Sequence, residues 1–289
     1  METYTNLVFE GGGVKGIAYV GALRVLTSHN LLSNFTSFAG SSAGAIVATL
    51  LACNATTEYM EKTIISLDFS KFMDDSWGIF RDFYRILTSY GLYKGDELLQ
   101  LFETILKDTT GSKDITFAEL YDKTQKVLVI TGSNVNTCKS EYYSKDTTPT
   151  MKVKNALRIT VSIPFVFKPI ISETGDLLVD GGTYNNMPMN VFRESEDFTL
   201  GLRLMSDVDK MGRKEIKGLK NYASELVGNL SDLACSKFVT SSDELRIVDI
   251  PTEKVKSTDF GLDDTVKEWL INSGQTAMTQ FIKKNLLLK

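Results

Sequence analysis

Three short stretches of this chain carry residue types that could do chemistry together: Gly11, Gly12 and Gly13 in "FEGGGVKG", Ser42 in "GSSAG", and Asp180 in "LLVDGG". Ser42 is the centre of G-x-S-x-G, the pattern of a tight strand-to-helix turn whose strained backbone projects a serine hydroxyl outward. Gly40, Ala43 and Gly44 are the small neighbours such a turn needs where strand and helix nearly touch. Three fixed positions match by accident in about one chain in ten of this length, so the setting must decide. "FTSFAG" before the serine reads as a strand, and "AGAIVATLLAC" after it, almost wholly apolar, reads as a helix buried on all sides.

The glycine stretch poses a separate question, because consecutive glycine N–H groups face something negative. Gly11, Gly13 and Gly16 satisfy the dinucleotide fingerprint G-x-G-x-x-G, but that reading requires an acid at the end of the second strand to hold a ribose. The second strand ends in Ala39, Gly40, Ser41 and Ser42, with no acid in reach, and no Lys-Ser/Thr pair follows the glycines as a phosphate-binding P-loop would need. One reading accounts for both turns. Loops at the carboxyl ends of adjacent parallel strands share a crevice, so the N–H groups of Gly11, Gly12 and Gly13 would face the oxygen that turns negative when Ser42 attacks an ester carbonyl. The N–H of Ala43, at a helix N-terminus, would add to this oxyanion hole.

A serine nucleophile needs a base, and the chain has one histidine, His29. It falls at the far end of the first predicted helix, roughly 20 Å from the glycines at 1.5 Å per residue. The base is therefore expected to be Asp180, at a strand end where Gly181 and Gly182 let the backbone pass close by. An unperturbed aspartate titrates near ~3.9, too low for neutral base catalysis. Either the site raises that value by desolvation or the oxyanion hole carries most of the rate, and the residues alone leave both open.

The elements that must position these residues alternate between strand and helix. "TNLVFE" is a first strand, Val14 to about Ser28 a helix with Asn30 as a left-handed stop, and the second strand and helix complete the first fifty-odd residues. That order predicts parallel strands with crossover helices. Further on, "KGDELLQLFETIL" is an amphipathic helix; "KVLVITGSNV", "SEYYS", "DLLVDGG", "FTLGLRL" and "LRIVDI" are strands; helices are expected over about 215–239 and from Asp264 to about Lys284, the last capped by Asp263 or Asp264. With 289 residues, no repeat and no linker, the expectation is one α/β domain over 1–289, a three-layer α/β/α sandwich around a mainly parallel sheet. The catalytic motifs fall within 7–192, and the elements of 198–285 complete the same domain.

The three stretches, in this order, resemble the patatin-like phospholipases, lipid acyl hydrolases with a Ser–Asp dyad. "GLYKGDELLQLF", "ITFAEL", "NALRITVSIPFVFKPI", "NNMPMNV" and "GLDDTVKEWLINSGQTAMTQFI" are similar to that family's connecting elements and final helix, so the likeness runs over nearly the whole chain. The resemblance implies a patatin-like fold, Ser42 as acyl-accepting nucleophile, Asp180 as its base, Gly11 to Gly13 as oxyanion donors, and calcium-independent cleavage of phospholipid acyl esters in lipid degradation. An acyltransferase using the same serine, or a non-catalytic lipid-binding module, are the competing readings. Lys15 stands where the family more often has arginine, Thr160 where it favours a small residue, and Asn134 where aspartate is frequent; neither Thr160 nor Asn134 is expected to touch the dyad.

The totals narrow the partners. A net charge of −4 gives no global field for nucleic acid. Three scattered cysteines, Cys53, Cys138 and Cys235, suggest free thiols in a reducing compartment, and the three N-x-S/T triplets are then silent. The amino-terminal residues lack a basic segment followed by an apolar one, so no signal peptide is expected, and no apolar run reaches spanning length. The expected location is the cytoplasm, with transient contact to a membrane surface; a leaderless export route would leave no trace in the sequence. Lys210, Arg213, Lys214, Lys217 and Lys220 would form a basic helix face, either solvated or docked to anionic lipid. Trp77, Phe80, Phe83, Tyr84, Leu87 and Tyr90 would form an apolar stripe, either core or lid. No metal or cofactor is expected: one histidine forbids HExxH, the cysteines lack zinc spacing, and "DVDKMG" has Met211 and Gly218 where a calcium loop needs carboxylates. The oligomeric state is left open.

Overall fold

The computed structural model describes residues 4–67, 90–206, 238–259 and 261–287, with positions 216, 222, 226, 228–230 and 234. The stripe from Trp77 to Leu87, the basic residues from Lys210 to Lys220, and most of the helix expected over 215–239 lie outside these residues. Strand β1 (Asn6–Phe9) leads through a short 3₁₀ turn (Gly13–Ile17) into helix α1 (Ala18–Ser28), so the expected first helix is two segments. Strand β2 (Ser37–Gly40) leads into α2 (Ala43–Ala52), followed by α3 (Thr57–Ser66), β3 (Gly91–Tyr93), α4 (Asp96–Thr110) and α5 (Phe117–Thr124). Then come β4 (Val127–Asn134), β5 (Lys139–Tyr143), α6 (Val153–Thr160), β6 (Phe165–Phe167), β7 (Ile170–Ile171) and β8 (Leu177–Asp180). Strands β9 (Thr199–Ser206) and β10 (Ile247–Glu253) and helix α7 (Asp264–Leu287) complete the order. Asn30 is left-handed as expected, with φ 54°, and Asp263 Oδ1 accepts from Val266 N–H at 2.8 Å, capping the last helix.

The main sheet runs β10-β9-β1-β2-β4-β8-β7, with β5 also on β4. The five strands from β10 to β4 are parallel; β5 and β8 pair with β4 antiparallel. The fold is thus mixed α/β around a mostly parallel sheet flanked by helices. Because both faces of such a sheet are covered, its strands are apolar on both sides. Leu7, Phe9, Phe38, Leu128 and Ile130 join the large core beneath the helices, while Val8, Ala39 and Val129 face a smaller cluster with Met187, Met189 and Ile247.

One strand sets the geometry of the site. Strand β4 has eight residues and β2 only four, so β4 runs on beyond Gly40, which pairs with Ile130. Strand β8 occupies that extension, placing Asp180 opposite Gly132. Asp180 therefore arrives on an antiparallel strand descending onto the sheet, and the shared crevice is not built from parallel strand ends alone.

Candidate active site

Ser42 sits between β2 and α2 with φ 49° and ψ −125°, a conformation costly for any residue with a side chain. Two glycines make the turn possible. A Cβ on Gly40 would strike the backbone of Gly44, and one on Gly44 would lie 2.6 Å from the carbonyl oxygens of Phe9 and Glu10. The strain is held from outside the turn, because Ser42 N–H donates to Thr160 Oγ1 at 2.9 Å, at the end of α6. Thr160, expected to stand clear of Ser42 and Asp180, therefore touches the peptide of Ser42. Its hydroxyl supplies an acceptor to an N–H that the turn leaves without a backbone partner. Asn134 lies apart from Ser42 and Asp180, donating to Glu141 and Asp176.

Asp180 is 5% exposed. Its N–H is held by the Ser162 carbonyl at 3.0 Å, and its Oδ1 accepts from Gly182 N–H at 2.7 Å. Oδ2 has no hydrogen-bond partner among the described residues. Burial pushes the carboxyl up to about 7, against the opposing effects of the Ser42 hydroxyl and the Gly182 N–H, both of which favour the ionised form. The Ser42 hydroxyl is thus near enough to act on the carboxyl, though outside hydrogen-bonding geometry. The rise by desolvation, one of the two expectations for this carboxyl, is present here.

The glycine loop corrects a second expectation. Gly11 N–H is already donated to the Asn186 carbonyl at 3.0 Å, so it is not a free oxyanion donor. Gly12 and Gly13 N–H find no acceptor among the described residues, and Ala43, the first residue of α2, has no carbonyl within the helix to pair with. Gly13 has φ +54°, and a Cβ there would overlap the Ser257 carbonyl, so no other residue fits where the loop after β10 closes over the turn. Lys15 is buried and donates to Ser206 Oγ at 2.8 Å, away from the cleft. Gly16 packs against the Ala43 side. Gly181 packs on Thr131 and Ser41, and Gly182 on Asn186. His29 is exposed at the end of α1 and does not line the cleft.

Gly11, Gly12, Gly13, Ser42 and Asp180 line one cleft, together with Ile163, Pro164, Val166 and Asn186. Asn186, for which the sequence reading assigned no role, ties it together: Nδ2 donates to the Gly11 carbonyl at 3.0 Å and to Glu10 Oε1 at 3.2 Å, while its own carbonyl holds Gly11 N–H. Glu10 Oε2 in turn accepts from Leu204 N–H at 2.6 Å. The available signal was a charged residue closing the apolar strand "NLVFE" beside glycines. Among the described residues, no three His, Cys, Asp or Glu side chains converge as a metal site would need, and no helix is long and apolar enough to cross a membrane.

Residues 7–193 match the family model described as patatin-like phospholipase. Protein R571 of Acanthamoeba polyphaga mimivirus is 31% identical over 96% of this chain and 94% of its own length. The probable lipid hydrolase 463L of Invertebrate iridescent virus 6 is 29% identical over 65% of this chain and 63% of its own. Among solved structures, VipD from Legionella pneumophila superposes on 98% of this chain and 67% of its own with a TM-score of 0.68 at 18% identity, a likeness of fold.

Proposed function

The chain belongs to the patatin-like phospholipase family, and from that premise we propose that it hydrolyses fatty acyl esters of phospholipids, with Ser42 as nucleophile and Asp180 as base. The observation that carries this reading is the pairing, in one cleft, of a strained serine with a buried carboxyl whose free oxygen titrates near neutrality. In the first half-reaction the Ser42 proton passes to Asp180 as Oγ bonds to the carbonyl carbon. The tetrahedral oxyanion is held by the N–H groups of Gly12, Gly13 and Ala43. Collapse breaks the carbon–oxygen bond to the lysophospholipid, and Asp180 returns the proton to that leaving oxygen. Water then attacks the acyl-enzyme, giving its proton to Asp180, and fatty acid leaves as Ser42 is reprotonated.

No step draws on a metal ion, so activity is expected to persist in a chelator. The test is mass spectrometry of products from mixed phospholipid vesicles. Native protein should release fatty acid and lysophospholipid, and Ser42→Ala should release neither. Release from a triacylglycerol emulsion alone would redirect the substrate to neutral lipid, and acyl transfer to added lysolipid would make the protein a transacylase. Failure of a fluorophosphonate probe to label Ser42 would overturn the catalytic reading.

A further inference from the structure

Arg158, near the end of α6, is 5% exposed and does not line the cleft. Among the described residues its guanidinium bonds to neutral acceptors. Nη1 donates to Ser162 Oγ at 2.6 Å, and Nη2 donates to the Lys94 carbonyl and, at 3.3 Å, to that of Lys168. Its Cζ lies 5.8 Å from the centre of the Phe167 ring. Burial pulls the guanidinium down to about 10, with Asp96 opposing the shift. A buried cation bonded to no carboxylate is a costly way to fill space. Three acceptors in different directions, however, suit the planar fork of arginine and not the single ammonium of lysine.

What those acceptors belong to gives the cation a purpose. The stretch from Thr160 to Lys168 touches both Ser42 and Asp180: Thr160 Oγ1 accepts from Ser42 N–H at 2.9 Å, and the Ser162 carbonyl accepts from Asp180 N–H at 3.0 Å. Further along it, Ile163, Pro164 and Val166 line the cleft. The guanidinium bonds to Ser162 and to Lys168, on either side of those wall residues. Through Lys94 it also ties the stretch to the end of β3, where Lys168 N–H donates to the Tyr93 carbonyl at 2.9 Å. Gly95 leaves room for this arrangement, since a Cβ there would overlap the guanidinium. We infer that Arg158 is a positioning residue, which sets Ser42 and Asp180 relative to one another by clamping a segment that bonds to both. The inference rests on the reading of Ser42 as nucleophile and Asp180 as base.

The test is steady-state hydrolysis of the soluble ester para-nitrophenyl butyrate by the full chain, followed across the neutral pH range. Arg158→Lys keeps the charge but not the fork, and kcat should fall about 10- to 100-fold, the scale of a small misplacement of reacting groups, with KM within about threefold. The inflection of the pH profile should stay within about half a unit of native, because burial and not a neighbouring cation raises the Asp180 carboxyl. Ser162→Ala removes one acceptor of the guanidinium and keeps the carbonyl that Asp180 uses. Its kcat should fall at least about fivefold, and it decides the matter if Arg158→Lys fails to fold. Folded variants whose kcat stays within about twofold of native, or whose inflection moves by a full unit, would overturn the clamp alone. Native protein that neither hydrolyses the ester nor takes a fluorophosphonate label at Ser42 would overturn the nucleophile assignment, and this inference with it.

Discussion

Ser42 and Asp180 are held in opposite ways. The serine is set by backbone geometry: a positive φ, two glycines that allow the turn to close, and one hydrogen bond donated by its own N–H to Thr160. The aspartate has an unstrained backbone, with φ −48° and ψ 133°, and is set by its surroundings, through burial and one unsatisfied oxygen. The difference fits the role proposed for each. A nucleophile's reactivity depends on where its oxygen stands, which a local turn can dictate. A base's usefulness depends on its pKa, which is a property of everything packed around it.

The largest expected effect tests the environmental half of this contrast. Asp180→Asn keeps the shape and the Gly182 contact but cannot take a proton, and kcat should fall by on the order of 10⁴, as for comparable base removals. In the native protein, kcat/KM on a neutral ester should rise about tenfold per pH unit and level off near pH 7, following the carboxyl at about 7. The stability sign is also fixed. Because the folded pKa is raised, the native state binds the extra proton between the ordinary carboxylate range and about 7, so folding stability falls as pH rises through that window and is level above it. Asp180→Asn lacks that loss, and its advantage in denaturant midpoint over the native protein should grow from about pH 4 to pH 7. A flat comparison would mean that burial is not what tunes the base.

The next effects bear on the geometric half. Gly13→Ala must move the loop from the Ser257 carbonyl and should cost about 10²–10³ in kcat through a misplaced oxyanion donor. Thr160→Val leaves the buried Ser42 N–H without an acceptor, and a loss of about 1–3 kcal/mol is expected in chemical denaturation, with Thr160→Ser restoring most of it. If Thr160→Val is neutral, the turn holds its own strain. The smallest effect is expected for His29→Gln, whose Nδ1 meets the carbonyl of Val25 and the neighbouring Ser28 hydroxyl; ester hydrolysis should match native protein within error.

Legibility in the sequence followed the range of the interactions. The elbow at Ser42 could be read because its requirements, small residues on either side and a strand and helix flanking them, are all within ten residues. The first strands and the capping of α7 by Asp263 were legible for the same reason. The 3₁₀-to-α break at Gly13–Ile17 was not: Gly13, at its start, has a positive φ and lies against the carbonyl of Ser257, a neighbour far along the chain. Gly11 was misjudged on similar grounds: its N–H is taken by Asn186, a partner that no pattern around the glycines announces. Thr160 looked remote because α6 lies far from Ser42 in sequence and touches it only in the fold.

From residue types and short spacings alone, the chain determined its strand–turn–helix order and its serine elbow, and led to the proposal of a carboxylate base in place of a histidine. Local sterics and periodicity suffice for these, since each involves neighbours in the chain. Only the tertiary structure decided that Asp180 descends on an antiparallel strand beside the long end of β4, that its carboxyl is buried enough to titrate near 7, and which loop amides remain free. Desolvation and hydrogen-bond occupancy are sums over groups distant in sequence, and no window of residues contains them.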